Sequence, residues 1–184
     1  MVFTVHSVFK RKNAAIAGVG IFLITAGVVL FFIFTKPIDP DVSSFAPSVL
    51  PDLIFQNMDG SVVSISSLRG RSVVLDIWAS WCILCAEHMS HLAVLQKKFG
   101  DKIMVIEVNR GESLEIIKKY LEQNGTSRGL LFALDVNDSL YQEIAGFFMP
   151  ETIFLDKDGK IVDHTRGPMG IIEIDRRIQD SFAL

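Results

Sequence analysis

The sequence predicts an α/β domain, a mixed central sheet flanked by helices, held behind one N-terminal transmembrane helix. Three observations predict it. A long uncharged run lies near the N-terminus, short β-branched runs alternate with helical patterns through the middle, and a hairpin followed by a last helix closes the chain. With 184 residues and 49% hydrophobic content, the chain has room for one domain of moderate size plus a markedly apolar segment.

Residues 14–34, AAIAGVGIFLITAGVVLFFIF, are 21 residues without a charge. At about 1.5 Å rise per residue this helix would be roughly 31 Å long, enough to cross a hydrocarbon core of about 30 Å. Lys10, Arg11 and Lys12 precede it; Lys36, Asp39 and Asp41 follow. The positive-inside bias then puts residues 1–13 in the cytoplasm, residues 14–35 in the membrane as a signal-anchor, and the rest outside. A cleavable signal peptide would have an apolar core of about 7–15 residues and a small-x-small site, whereas this run ends in FFIFTKPID. Residues 36–50, KPIDPDVSSFAPSVL, read as an extended linker, which leaves residues 51–184 as the folded domain.

Within the domain, LIFQNMDGSVVSI (53–65) reads as two short strands around an Asp-Gly turn, and SSLRG (66–70) as a helical turn. SVVLDIWA (72–79) is too short and too β-branched for a buried helix and reads as a central strand. A helix over 82–99 stops at Gly100, and KIMVIEVN (102–109) is a second buried strand. SLEIIKKYLEQNG (113–125), with apolar residues at 114, 116, 117 and 121, fits an amphipathic helix. GLLFALD (129–135) is a strand, DSLYQEIAG (138–146) a helix, TIFLDKDGKIVDHT (152–165) a hairpin turning at Asp158-Gly159, and GIIEIDRRIQDSFAL (170–184) a final helix. This alternation gives a mixed sheet with helices on both faces.

The net charge of −3, with no basic patch beyond the N-terminal flank, argues against nucleic acid as a partner. The chemistry concentrates in Cys82 and Cys85, the chain's two cysteines. Cys-x-x-Cys serves haem attachment, zinc ribbons and redox catalysis alike. A haem site would need His at 86, which is Ala86, and a zinc ribbon would need a second pair. One metal alternative stays open, copper or zinc held by Cys82, Cys85 and His88. His91 cannot join them on a straight helix, because each step of three turns the side chain by about −60°. A crosslink three residues apart would close almost no loop and stabilise little.

The redox reading has a physical basis. A Cys at a helix start faces unpaired N–H groups and the positive end of the dipole, and both favour thiolate over thiol. Cys82 is then the nucleophile and Cys85, one turn on, the resolving thiol. Asp76 lies in an otherwise apolar strand six residues before Cys82. Its charged form is costly to bury there, and a buried acid behind a thiol pair can relay the proton of Cys85. Trp81 stands beside Cys82, placed to shield the thiolate, while Trp78 reads as core. His88 and His91 read as half-exposed on an amphipathic helix, His6 and His164 as surface residues, and Phe147 and Phe148 as flanking the presumed substrate groove or, as Phe more often does, lying in the core.

With these residues in hand, the chain resembles the thioredoxin superfamily, and more narrowly the membrane-anchored, extracytoplasmic thiol-disulfide oxidoreductases of the TlpA, ResA and DsbE group. The resemblance covers roughly residues 47–180. It rests on SSLRGRSVVLDIWASWC, on Trp81-Cys82-Ile83-Leu84-Cys85 at a strand–helix junction, and on FFMPETIFLDKDGKIV about 65 residues later. It implies a thioredoxin-like fold. It also implies a cis-proline at Pro150 beside the Cys pair, with Met149 pairing its backbone with bound substrate. Pro-Glu-Thr at 150–152 is similar to the cytochrome-maturation branch, which implies apocytochrome c as a client and a transmembrane thiol reductase as electron donor, at the outer face of a bacterial cytoplasmic membrane. No cofactor is implied beyond the Cys82–Cys85 disulfide. The chain departs from the group in carrying Ile83-Leu84 without proline between the cysteines, and His88 and Ser90 where relatives have Glu and Pro. An oxidant or isomerase would use the same residues at a different potential, although an uncharged Ile-Leu pair argues against a strong oxidant.

Overall fold

A computed structural model describes residues 48–125 and 129–184. The cytoplasmic segment, the signal-anchor and nearly all of the linker read from the sequence lie outside them. Among the described residues, no helix is long and apolar enough to cross a membrane.

The strands are β1 (Ile54–Asn57), β2 (Val62–Ser64), β3 (Val73–Trp78), β4 (Met104–Arg110), β5 (Leu131–Asp135), β6 (Glu151–Leu155) and β7 (Ile161–Arg166). The α-helices are α1 (Cys85–Phe99), α2 (Leu114–Asn124), α3 (Ser139–Glu143) and α4 (Ile171–Phe182), and a 3-10 turn spans Ile65–Leu68. The sheet order is β2-β1-β5-β4-β3-β6-β7. β3 runs parallel to β4, and β4 to β5, while β6 and β7 close one edge antiparallel. The mixed sheet expected from the sequence is therefore present. β3 is paired on both sides, and all six of its residues are buried, which is why its apolar run shows no clean alternation.

Alternation along β3 divides the core. Val74 and Trp78 pack with α1, α2 and α4 through Met89, Leu92, Ile117, Ile174 and Ile178. Val73, Leu75 and Ile77 pack on the opposite face with Leu140 and Ile144. Side chains alternate faces along a strand, so Asp76 falls on the α1 face, between Val74 and Trp78.

One boundary differs from the sequence reading. The helix begins at Cys85 rather than at residue 82, because the Cys85 N–H turns back to the Cys82 carbonyl at 3.2 Å, and the Cys82 N–H to that of Ala79 at 3.0 Å. Cys82 thus lies in the turn ahead of the helix, and the helix entry at Leu84 has no side-chain cap.

Candidate active site

β3 delivers the chain to its C-terminal end at Trp78, and residues 79–84 turn over the sheet into α1. Cys82 and Cys85 are joined as a disulfide. Cys82 keeps 8% of its surface exposed and Cys85 none. Between them Ile83 is 91% exposed, and Trp81 before them 62%. Glu112 holds this turn in place. Its carboxylate accepts the Ser80 N–H at 2.7 Å and the Ser80 hydroxyl at 2.5 Å, and also the side-chain amide of Asn109 at 2.7 Å.

The antiparallel register pairs Ile77 with Glu151, so Pro150 arrives level with Trp78 at the same end of the sheet. The Met149–Pro150 peptide is cis, as the resemblance implied. Met149 packs against the cluster that contains both cysteines, and Pro150 is buried. Phe147 and Phe148 are exposed, not in the core that the sequence reading favoured for them. Glu151 explains why. Its Oε1 accepts the Phe147 and Phe148 N–H groups at 2.9 and 3.0 Å, and this turns their side chains outward. Two loops with exposed aromatic and aliphatic side chains therefore leave the same end of the sheet.

Asp76 is fully buried beneath α1. Its Oδ1 accepts the Thr152 hydroxyl at 2.8 Å, and its Oδ2 lies 3.2 Å from His88 Nδ1. His88 is thus fully buried on the sheet, not half-exposed. It occupies the inward stripe that Cys85, Met89, Leu92 and Leu95 also form along α1. Burial lowers its pKa, but the Asp76 charge and hydrogen bond outweigh this, and the net shift is upward. Across the parallel pairing, Asp76 is level with Glu107 of β4, which is also fully buried. No donor reaches either Glu107 oxygen. Burial first, and then the negative charge of Asp76, hold the Glu107 carboxyl well above the ordinary carboxylate range.

Reading the sequence missed Glu107, although KIMVIEVN carries the same signal that marked Asp76, one charge in an apolar strand. It also missed Thr152, which reaches Asp76 from β6. His164 was read as a surface residue. Its side chain is buried, with Nε2 lying 2.9 Å from Glu151 Oε2 on the far face of the sheet. Of the residues of the metal alternative, Cys82 and Cys85 are joined as a disulfide. Among the described residues no group of three or more His, Cys, Asp or Glu side chains is placed to hold an ion, and His88 turns to Asp76 instead.

Exposed apolar side chains around a disulfide at a strand–helix junction, with a buried acid pair beneath the helix that follows, form an arrangement suited to thiol–disulfide exchange. Comparison with known proteins agrees. The Redoxin family model matches residues 40–176. The thiol-disulfide oxidoreductase ResA of Bacillus thuringiensis (strain Al Hakam) is 25% identical over 162 residues, 85% of this chain and 90% of that one. The pneumococcal exposed lipoprotein thioredoxin Etrx1 of Streptococcus pneumoniae superposes with a TM-score of 0.61 at 26% identity, covering 71% of this chain and 99% of that one. A secreted Mycobacterium tuberculosis disulfide oxidoreductase homologous to E. coli DsbE shares the fold, with a TM-score of 0.61 at 15% identity over 70% of this chain and 96% of that one. The chain therefore belongs to the Redoxin family and is a thioredoxin-superfamily protein of the ResA and DsbE kind.

Proposed function

We propose that this thioredoxin-like thiol-disulfide oxidoreductase works as a reductant of disulfides in client proteins outside the cytoplasm, with apocytochrome c the leading client. The observation that carries the reading is the asymmetry of the pair. Cys82 keeps a small exposed surface between the exposed side chains of Trp81 and Ile83, and Cys85 is fully buried. An attacking thiolate needs access, whereas a resolving thiol needs only to reach its neighbour.

In the reduced protein the Cys82 thiolate attacks one client sulfur. The Cys82–client disulfide forms, the client disulfide breaks, and one client thiolate leaves and takes a proton from water. Cys85 then gives its proton to the buried carboxylate of Asp76, and its thiolate attacks Cys82. The Cys82–Cys85 disulfide forms as the second client thiolate leaves. Two electrons pass from the dithiol to the client, and the cycle needs no cofactor beyond the cysteine pair. The uncapped entry of α1 favours negative charge at Cys82. Trp81 and the backbone at Met149 hold the extended client beside the disulfide, Met149 by strand-like hydrogen bonding ahead of Pro150. Resetting the pair takes electrons from a transmembrane thiol reductase, and residues 14–35 anchor the domain at the outer face of a bacterial cytoplasmic membrane.

The test is the reduction potential, read by equilibrating the protein with thiol buffers and mass-tagging free Cys82 and Cys85. A value near or below about −270 mV is expected, and one near about −120 mV would make the protein an oxidant and contradict the proposal.

A further inference from the structure

The acid pair has no direct route to water: Asp76 and Glu107 are both fully buried. A proton passed inward from Cys85 can therefore equilibrate with solvent only through a neighbouring group. One side chain joins the pair to the outside. His88 meets Asp76 Oδ2 through Nδ1 at 3.2 Å, while its Nε2 is buried with no hydrogen-bond partner. Beside His88 lies a cavity of about 260 Å³, lined by Leu84, Glu87, His88, His91 and residues 168–170. It has room for several waters at about 30 Å³ each, and its exposed Glu87 leads to solvent.

We propose that His88 is the positioning residue through which the Asp76–Glu107 pair exchanges protons with solvent, by way of this cavity. One nitrogen takes a proton as the other releases one, so the ring passes charge without moving. Oxidation of the dithiol sends one proton from the Cys85 thiol to Asp76 and through His88 to a cavity water, and re-reduction of the disulfide draws one back in, which restores the starting tautomer of the ring.

The charged surroundings suit this. From β3, Asp76 faces the imidazole, Glu107 of β4 lies level with Asp76, and Thr152 of β6 adds only a hydroxyl to Asp76. From its own helix, Glu87 and His91 line the far side, 3.9 Å apart, and His91 Nδ1 is 3.3 Å from the Met169 carbonyl. Pro168, Met169 and Gly170 bring no ionisable side chain. Of the nearest charges on α4, Asp175 is held by Lys98 and Glu173 by Arg177.

The inference rests on the dithiol cycle of Cys82 and Cys85 and not on its direction. His88→Asn tests it, because the Asn amide can keep the bond to Asp76 while offering no relay into the cavity. The readout is the single-turnover rate at which Cys85 resolves a Cys82 mixed disulfide, followed from pH 5 to 9 alongside the reduction potential. The expected result is a resolving step slowed by about tenfold or more, with forward and reverse rates falling together and the potential near its wild-type value. Added imidazole should restore the rate in His88→Ala. Gly170→Leu, whose new side chain starts in open space at the cavity wall, should slow exchange without touching His88. An unchanged rate and pH profile in His88→Asn would overturn the inference and leave the redox reading standing. So would a slowed rate in His88→Ala that imidazole cannot restore. A wild-type protein that fails to cycle with any disulfide would overturn both.

Discussion

The sheet buries a carboxylate and a histidine together on each of its two faces, and the two pairs are finished differently. On one face Glu151 is surrounded by donors. It accepts from the Phe147 and Phe148 backbone, lies 2.9 Å from His164, and has Arg166 Nε at 3.6 Å. Burial raises its pKa, but the His164 hydrogen bond and the two backbone N–H groups outweigh it, so the net shift is downward. On the other face two acids, Asp76 and Glu107, share too few donors. Thr152 and His88 serve Asp76, and nothing serves Glu107, which stays protonated far above its ordinary range. The lesson concerns donor number. A buried carboxyl with its lone pairs filled by fixed donors is an anchor, and here it anchors the loop that carries Met149 and Pro150. A buried carboxyl short of donors keeps a proton that it can give up, and this one lies behind the disulfide.

Removing a donor from the anchored side should have the largest effect. His164→Leu leaves Glu151 buried with a main partner gone, and we expect a loss of about 3 kcal/mol at pH 7 by denaturant unfolding. The sign with pH follows. A lowered carboxylate pKa gives stability that is present above its ordinary 4.5 and lost as pH falls through the folded value. The gap between wild type and variant should therefore narrow in acid. A gap that is constant with pH would mean that packing, not the ion pair, was lost.

Relieving the strained side should have a smaller effect of opposite sense. Glu107 holds its proton more tightly folded than unfolded, so its contribution is complete below about pH 4.5 and is lost as pH rises toward the folded value. Wild-type stability should fall across that window by up to about 1.4 kcal/mol per pH unit. His88, whose pKa is raised, adds to the fall above its ordinary 6.5. Glu107→Gln should flatten the Glu107 part of the slope and gain roughly 1 kcal/mol at pH 8, seen by unfolding in parallel pH series. Equal slopes would show that Glu107 is ionised in both states.

Much of this fold could be read from residue order. β-branched runs, Gly stops and Asp-Gly turns mark the strands and helices to within a few residues. Cys82, Cys85 and Asp76 stood out as rare residues in apolar surroundings, and Pro150 stood out through the motif that it opens. What escaped depends on register and packing. Glu107 is informative because β3 and β4 pair Asp76 against it, and a parallel pairing across a helical crossover leaves no mark in either strand. His88 lies on the inward stripe at the spacing of Cys85, Met89 and Leu92, so its burial was legible, but its partner on another element was not. His164 faces Glu151 across the β6–β7 hairpin, whose register shifts between Phe154 and Leu155 and defeats simple counting. Phe147 and Phe148 read more readily as core because Phe usually is, yet the Glu151 carboxylate claims their backbone and leaves the rings outside.

The two buried acid sites differ in protonation. A carbon-13 NMR titration of the side-chain carboxyls in the oxidised protein, assigned with Glu107→Gln and Glu151→Gln, tests it most directly. The Glu107 signal should titrate well above 4.5 and the Glu151 signal below it. A Glu107 signal that titrates at or below its ordinary value, or a Glu151 that is still protonated at neutral pH, would contradict it.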